Sequence, residues 1–93
     1  MDCIELIFSA HAVQRIFERG IKTSHIKALI KFGEIITEYP DDFPFPSYLI
    51  LGWVDNQPIH TVIAVDDKLK RCYIITAYFP DPSLCSSDFR TRI

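Results

Sequence analysis

Apolar and polar residues recur at helical spacing near the start of the chain, which predicts an amphipathic helix over roughly residues 10–19. Ser9 can cap this helix, because its hydroxyl accepts a hydrogen bond from a free amide of the first turn. Gly20 stands where a residue of left-handed backbone geometry would end the helix. The apolar side carries Ala12, Val13, Ile16 and Phe17, and the polar side carries His11, Gln14, Arg15 and Glu18, with Arg19 at its edge.

The remaining pattern predicts a second helix and five strands. Apolar residues recur at helical spacing between a cap at Thr23 or Ser24 and an end at Gly33. We therefore expect an α+β fold, in which two N-terminal helices pack on a mainly antiparallel sheet of about five strands, within a single domain spanning residues 1–93. Runs rich in β-branched and aromatic residues place the strands at 3–8, 34–39, 48–54, 58–65 and 71–79.

Two segments interrupt this pattern. Segment 40–47 contains three prolines, which remove backbone donors and favour extended geometry. Its rings, Phe43 and Phe45, either fold back onto the core, which is the favoured interpretation, or line a site or a docking surface. Residues 84–93 are predicted as either a loose tail or a short helix.

Composition limits the partners that the chain can bind. The net charge is −2, whereas phosphate contacts with basic residues dominate the affinity of nucleic-acid binders. An RNA site therefore has to be a local basic patch, formed by Arg15 and Arg19 or by Arg90 and Arg92. No apolar run reaches the roughly 18 residues that a membrane-spanning helix needs, so no membrane partner is expected.

Cysteine usage indicates a reducing compartment. Cys3, Cys72 and Cys85 are an odd number without C-x-x-C spacing, which argues against a disulfide framework. No basic amino-terminal region of a signal peptide is recognisable. A cytoplasmic location is the expectation that follows.

Several residues have the chemistry that metal-free cleavage of RNA requires. That reaction needs a base for the 2′-hydroxyl, positive charge at the phosphorane and an acid for the leaving oxygen. Imidazoles titrate near neutral pH, and guanidinium groups bind oxyanions through paired donors. No metal or cofactor is expected, because the histidines are far apart and no ligand pair has zinc spacing. The catalytic candidates are His11, Arg15, His60, Thr76 and Tyr78, and the substrate-binding candidates are Arg19 and Arg90.

Each candidate also has a purely structural interpretation. The polar side of the first helix is then a solvated charged face, and His60 is a histidine hydrogen-bonded within the sheet. Strand alternation places His60 away from the better buried Thr61, on the more open face of the sheet. Thr76 is expected to share a face with Ile74. The hairpin loop decides whether His60 joins Thr76 or lies opposite Ile75, and the sequence leaves both registers open.

The chain resembles a bacterial family known as domain of unknown function 4258. That family is in turn similar to the small RelE and BrnT toxins of toxin–antitoxin pairs. The pieces that carry the resemblance are Phe8-Ser9-x-His11-Ala12-x-x-Arg15-x-x-Glu18-Arg19-Gly20-Ile21, Gly33-Glu34-Ile35-Ile36, Tyr39-Pro40-Asp41-Asp42, Pro58-Ile59-His60 and Ile75-Thr76-x-Tyr78-x-Pro80-Asp81-Pro82.

The resemblance implies a compact α+β fold, metal-independent ribonuclease activity and a cognate antitoxin protein. The first hypothesis is accordingly a toxin-like endoribonuclease in which His11 and His60 act as complementary acid and base, with RNA as the substrate. The second is a non-catalytic protein-interaction module, either an inactive toxin relative or a small domain that forms a homodimer. The acidic net charge and the aromatic segment 40–47 favour this second hypothesis.

Overall fold

The computed structural model describes residues 3–84 and 87–90. One strand precedes two consecutive helices, and four more strands follow, as the sequence pattern predicts. Strand and helix bounds lie within two residues of the expected ones. The elements are β1 (Glu5–Phe8), α1 (Ala10–Glu18), α2 (Thr23–Phe32), β2 (Glu34–Tyr39), β3 (Ser47–Val54), β4 (Gln57–Asp66) and β5 (Arg71–Tyr78).

The five strands form one sheet in the order β1-β5-β4-β3-β2. Strands β2 to β5 pair with their sequence neighbours in antiparallel fashion, whereas β1 lies parallel to β5. The sheet is therefore mixed rather than mainly antiparallel as predicted. The difference arises because the two helices carry the chain away from β1, and the last strand returns beside it in the same direction, as a crossover connection requires.

Helix α1 packs on β5 through a narrow stripe of its surface. The hydroxyl of Ser9 accepts a hydrogen bond from the amide of Ala12 at 3.0 Å, as the capping prediction requires. Ala12 and Ile16 are buried, but Phe17 on the predicted apolar side is 82% exposed. The helix lies over β5 near one edge of the sheet, so only one part of its apolar side reaches the core.

The cap of helix α2 lies one residue before the earlier of the two expected positions, and the helix begins at Thr23. Lys22 occupies the cap position, and its backbone N–H donates to Nδ1 of His25 at 3.2 Å. An imidazole in the first turn thus accepts from the backbone amide of the cap residue itself, and neither Thr23 nor Ser24 occupies the cap position. The helix packs on β3 and buries Ile26, Leu29 and Ile30.

The main core lies between the two helices and one face of the sheet. Its sheet side is aliphatic, with Ile50, Ile59 and Ile63 nearly inaccessible to solvent. A disulfide between Cys3 and Cys72 links the start of β1 to this core across 69 residues of sequence. The expectation that these thiols stay unpaired is wrong. Parallel pairing of β1 with β5 brings their Cα atoms to 5.8 Å, within the usual range for a disulfide.

The opposite face of the sheet, here called the open face, is covered by loops instead of helices. The ring of Phe45 stacks on Tyr73 with centroids 5.5 Å apart, whereas Phe43 is 95% exposed. Phe45 therefore folds back onto the open face and not onto the main core, so the predicted return of both rings to the core is wrong. At the other end of the face, Phe89 packs edge-on against Trp53 at 5.8 Å.

The tail, residues 80–90, supplies this second cover. Its described residues, 80–84 and 87–90, form turns and bends without a helix. Residues 85, 86 and 91–93, with Cys85 and Arg92 among them, lie outside the described part of the chain. In that part no helix has the length and apolar character needed to cross a membrane, since the two helices have nine and ten residues.

Candidate functional site

A β-bulge in β5 decides which side chains reach the open face. Ile63 pairs with Ile74, but the preceding residue of β4, Val62, pairs with Thr76. Ile75 is therefore an extra residue in β5 with no counterpart in β4. A bulge of this kind reverses the in–out alternation of the residues that follow it. The expectation that Thr76 and Ile74 share a face is wrong for this reason.

The bulge also settles the register of His60. The turn between β4 and β5 spans four residues, 67–70, and without a bulge it would place His60 opposite Ala77. The extra residue moves the pairing to Tyr78. His60 and Tyr78 are thus direct cross-strand neighbours on the open face, as the burial of Thr61 on the other face indicated.

His60 is only 4% exposed, and both of its ring nitrogens have partners within the protein. Nε2 lies 2.8 Å from the backbone carbonyl oxygen of Phe89. A carbonyl can only accept, so Nε2 carries the hydrogen and Nδ1 is left as an acceptor in the neutral ring. The hydroxyl of Tyr78 lies 3.4 Å from Nδ1, and the two rings meet edge to face with centroids 5.4 Å apart.

A pocket of about 450 Å³ opens in front of this pair, between β2, β3 and the tail. Its size is within the range of small-ligand sites, which combine apolar walls with a few convergent polar groups. We call it the open-face pocket. Its polar lining includes His60, Tyr78 and Arg90, and its apolar lining includes Leu49, Leu84 and Phe89.

Arg90 is the cation of the open-face pocket. Its Nε donates to a carboxylate oxygen of Glu34 at 2.7 Å, and a second nitrogen lies 3.6 Å from Asp88. The hydrogen bond and the charge of Glu34 raise the pKa of the Arg90 guanidinium above its ordinary value. The guanidinium is half exposed, so it remains available to an anion that enters from solvent.

His11 and Arg15 lie elsewhere. Both are exposed on α1, one turn apart on the same side of the helix. Because α1 packs on the face opposite the open face, the sheet separates this pair from His60 and Tyr78. The structure therefore brings together three of the predicted site residues, His60, Tyr78 and Arg90, in the open-face pocket and leaves the α1 pair on the far side of the sheet.

Arg19 contacts the exposed end of β5. Strand β1 pairs with β5 only as far as Ile74, so no strand among the described residues lies beside this edge of β5 beyond that point. The guanidinium of Arg19 donates to the carbonyl oxygen of Ala77 at 2.8 Å and approaches the Thr76 hydroxyl at 3.3 Å. These two predicted site residues thus meet at a sheet edge, and neither of them lines the open-face pocket.

Sequence reasoning did not identify Glu34 or Phe89 as parts of the site. Glu34 is part of the motif Gly33-Glu34-Ile35-Ile36, but its partner Arg90 comes 56 residues later in the sequence. No local sequence pattern reveals such a contact. Phe89 contributes a backbone carbonyl, which any residue type can supply. Within residues 3–84 and 87–90, no three His, Cys, Asp or Glu side chains form a group able to hold a metal ion.

The geometry defines a small α+β protein with two helices on one face of a mixed sheet and a polar pocket on the other. The family model described as Domain of unknown function (DUF4258) matches residues 8–79, from the end of β1 to the residue after β5. The chain belongs to this family, as its sequence motifs indicated. No curated protein and no solved structure matches it.

Proposed function

We propose that this protein is a metal-independent endoribonuclease whose reaction takes place in the open-face pocket. The observation that carries the proposal is the contact between His60 and Tyr78 in a pocket that Arg90 also lines. An imidazole, a phenol and a guanidinium are together sufficient for the proton transfers and the charge stabilisation of the reaction.

The tautomer of His60 assigns the proton transfers. Nδ1 of the neutral ring takes the proton of the ribose 2′-hydroxyl, and the 2′-oxygen attacks phosphorus. The bond from phosphorus to the 5′-oxygen breaks, and that oxygen takes the phenolic proton of Tyr78. The products are a 2′,3′-cyclic phosphate and a 5′-hydroxyl. The proton on Nδ1 then passes to the adjacent Tyr78 phenolate, which restores both groups.

Arg90 stabilises the negative charge that develops on the phosphorane. A guanidinium presents paired donors to phosphate oxygens, and its attraction to them is stronger in a partly desolvated pocket than in water. Its ion pair with Glu34 fixes the approach of the side chain. This local cation is how a chain of net charge −2 can bind a polyanion.

The proposal includes the toxin–antitoxin context that the likeness to RelE and BrnT implies. In that context the enzyme acts on cellular RNA, and a cognate antitoxin protein suppresses the activity. An antitoxin that covers the open-face pocket or displaces the tail would do so directly. His11 and Arg15 have no part in the proposed reaction, because they lie on the other side of the sheet.

The test is cleavage of a single-stranded RNA oligonucleotide by purified protein in excess EDTA. Tyr78→Phe removes only the phenolic hydroxyl, and His60→Gln keeps a donor for Phe89. We expect each to lower the cleavage rate about a hundredfold or more, the usual contribution of general acid–base groups. Tyr73→Phe, on the same face but beneath Phe45, is the matched control and should keep the wild-type rate.

The chemistry of the products provides a second readout. A substrate with a 2′-deoxyribose at the cleavage position should stay intact, and products should end in a 2′,3′-cyclic phosphate. The proposal is wrong if RNA stays intact with the folded wild-type protein. It is equally wrong if Tyr78→Phe and His60→Gln cleave RNA at the wild-type rate.

A non-catalytic interaction module is the second candidate. Three phenylalanine rings are almost entirely exposed, Phe17 at 82%, Phe32 at 80% and Phe43 at 95%. Exposed aromatic rings are enriched where proteins bind one another. Sedimentation of the wild type and of Phe43→Ala tests this: a homodimer that dissociates in the variant, together with absence of RNA cleavage, would favour this candidate.

A further inference from the structure

A second cavity adjoins the open-face pocket. It has a volume of about 340 Å³ and lies where the end of α2 meets the start of β2 and the end of β3. We call it the aromatic groove. Arg90 lines both cavities, so a ligand bound at its guanidinium is in contact with each. The groove is lined by Phe32, Gly33, Glu34, Gly52, Trp53 and Arg90, among others.

Two glycines bring the walls of the groove together. A Cβ at Gly52 would lie 2.5 Å from Cγ of Leu29, which is too close for two carbon atoms. A Cβ at Gly33 would lie 2.6 Å from Cγ2 of Ile50 on β3. Because neither glycine has a side chain, helix α2 can pack closely against β3. This close packing places Phe32 beside the end of β3.

The groove exposes two large rings. Phe32 is 80% and Trp53 is 55% exposed, although most aromatic residues of this size are largely buried. Phe89 contacts the indole edge-on at 5.8 Å and leaves more than half of Trp53 accessible. The two rings thus face solvent in a cavity that also holds the carboxylate of Glu34 and the guanidinium of Arg90.

We propose that the aromatic groove is a nucleobase subsite, in which Trp53 and Phe32 bind the base next to the scissile phosphate of a single-stranded RNA. The inference rests on the proposed function, because it extends the substrate path from His60 past Arg90 into the groove. Every base has a π-face, and aromatic platforms beside a cation are the usual way that proteins bind single strands.

The polar groups of the groove add selectivity. The Glu34 carboxylate accepts hydrogen bonds but cannot donate them, so it favours a base whose edge carries N–H donors. Guanine presents an amino group and a ring N–H side by side, and its two rings give a larger stacking area than a pyrimidine. Guanine is therefore the base that this subsite should prefer.

Binding can be measured without cleavage. Trp53 is the only tryptophan in the sequence, so its fluorescence reports on the groove. Titration with an all-2′-deoxy oligonucleotide, which lacks the attacking hydroxyl, should quench this fluorescence in wild type. Quenching by a guanine-containing oligonucleotide should occur at lower concentration than quenching by oligothymidine.

Steady-state cleavage provides the matched comparison. Phe32→Ala and Trp53→Ala should each raise the KM for RNA about tenfold, the usual effect of losing one stacking ring, with a much smaller change in kcat. Trp53→Phe keeps an aromatic ring and should restore most of the affinity. Phe17→Ala removes an equally exposed ring from α1 and should leave KM unchanged.

The outcomes separate the two proposals. Cleavage with an unchanged KM in Trp53→Ala and Phe32→Ala overturns the nucleobase subsite and leaves the nuclease standing. Quenching of Trp53 without cleavage of RNA overturns the nuclease and supports the subsite. If no oligonucleotide binds and Phe32→Ala instead dissociates a protein dimer, the groove is a protein-binding surface and the subsite is overturned.

Discussion

The two faces of the sheet are stabilised in different ways. The helix-covered face is closed by aliphatic side chains, such as Ile50 and Ile63, that touch other aliphatic side chains. The open face is closed by single polar or aromatic contacts, among them the bond from His60 to the Phe89 carbonyl. The pocket that His60, Tyr78 and Arg90 line is on the face that the loops cover.

This difference follows from what each cover demands. Helices bury a continuous apolar surface, so the inward positions on their side are mostly apolar. Thr61 is the exception, and its hydroxyl donates to the backbone carbonyl of Thr76. Loops leave backbone carbonyls and amides that need partners, and polar side chains of the sheet supply them. A face covered by loops therefore tolerates buried polar groups such as His60, and it leaves cavities between the contacts.

Truncating matched positions on the two faces gives the largest expected contrast. Ile50 and Leu49 are neighbours on β3 with equal numbers of carbon atoms, one on each face. Ile50→Ala should lower the free energy of unfolding by about 3–4 kcal/mol, because the site is fully packed. Leu49→Ala, beside the open-face pocket, should cost about 1–2 kcal/mol. Equal losses in urea titrations would show that the faces are packed alike.

Removal of the disulfide measures how much this link stabilises the folded protein at the β1 edge of the sheet. Cys3→Ser removes the link to Cys72 with little change in packing, because Cys3 is only partly buried. We expect a loss of about 2–4 kcal/mol, since closing a long loop restricts the unfolded chain. Thermal unfolding of wild type with and without a reductant measures the same quantity. A midpoint that does not move in either experiment would contradict the structural role of the disulfide.

Arg19 distinguishes a structural from a substrate-binding role at the edge of the sheet. Arg19→Met keeps the aliphatic stem and removes the hydrogen bond to Ala77, so stability should fall by about 1 kcal/mol. Arg15→Met, which removes an exposed guanidinium from the same helix, is the control and should leave stability unchanged. An Arg19→Met variant of normal stability but raised KM for RNA would assign Arg19 to substrate binding instead.

The smallest effect concerns the pH dependence of the tail. The hydroxyl and amide of Ser83 donate to the Asp81 carboxylate and lower its pKa below the ordinary value. A lowered pKa stabilises the folded turn above the unfolded pKa and loses that effect as the pH falls through the folded value.

Trp53 fluorescence monitors the tail through the Phe89 contact, so an acid titration should show a change below about pH 3.8. Glu34 and Asp88 also hold the tail through Arg90, so the comparison is with Asp81→Asn, which keeps an acceptor without a titratable charge. The variant should lose part of the acid-induced change. Superimposable curves would show that the Asp81–Ser83 turn does not contribute.

The helix-covered face could be predicted from sequence much better than the open face. Helical spacing located α1 and α2 within two residues, and strand alternation placed Thr61 on the buried side. The features that were predicted wrongly depend on contacts that periodicity does not reveal. The parallel pairing of β1 joins Glu5 to Arg71, far along the chain, and the disulfide at Cys72 joins residues 69 apart. Burial of Ala12 without Phe17 depends on where α1 lies over the sheet.

The candidate site was only partly predictable for the same reason. Chemistry singled out His60, Tyr78 and Arg90, and the structure gathers these three in one pocket. The sequence treated His11 as their partner because both histidines have suitable chemistry, and residue type does not say on which face of a sheet a side chain lies. The Phe89 carbonyl and the Glu34 carboxylate became visible only when distant segments met.

The extra residue in β5 has a consequence for comparing members of this family. Against a relative that lacks the extra residue, an alignment without a gap near Ile75 would place that relative's pocket tyrosine opposite Ala77 of the core. Conservation scored from such an alignment would mix two unrelated selective pressures in a single column. Relatives should therefore be aligned outward from the bulge itself, with the strand halves before and after it treated as separate blocks.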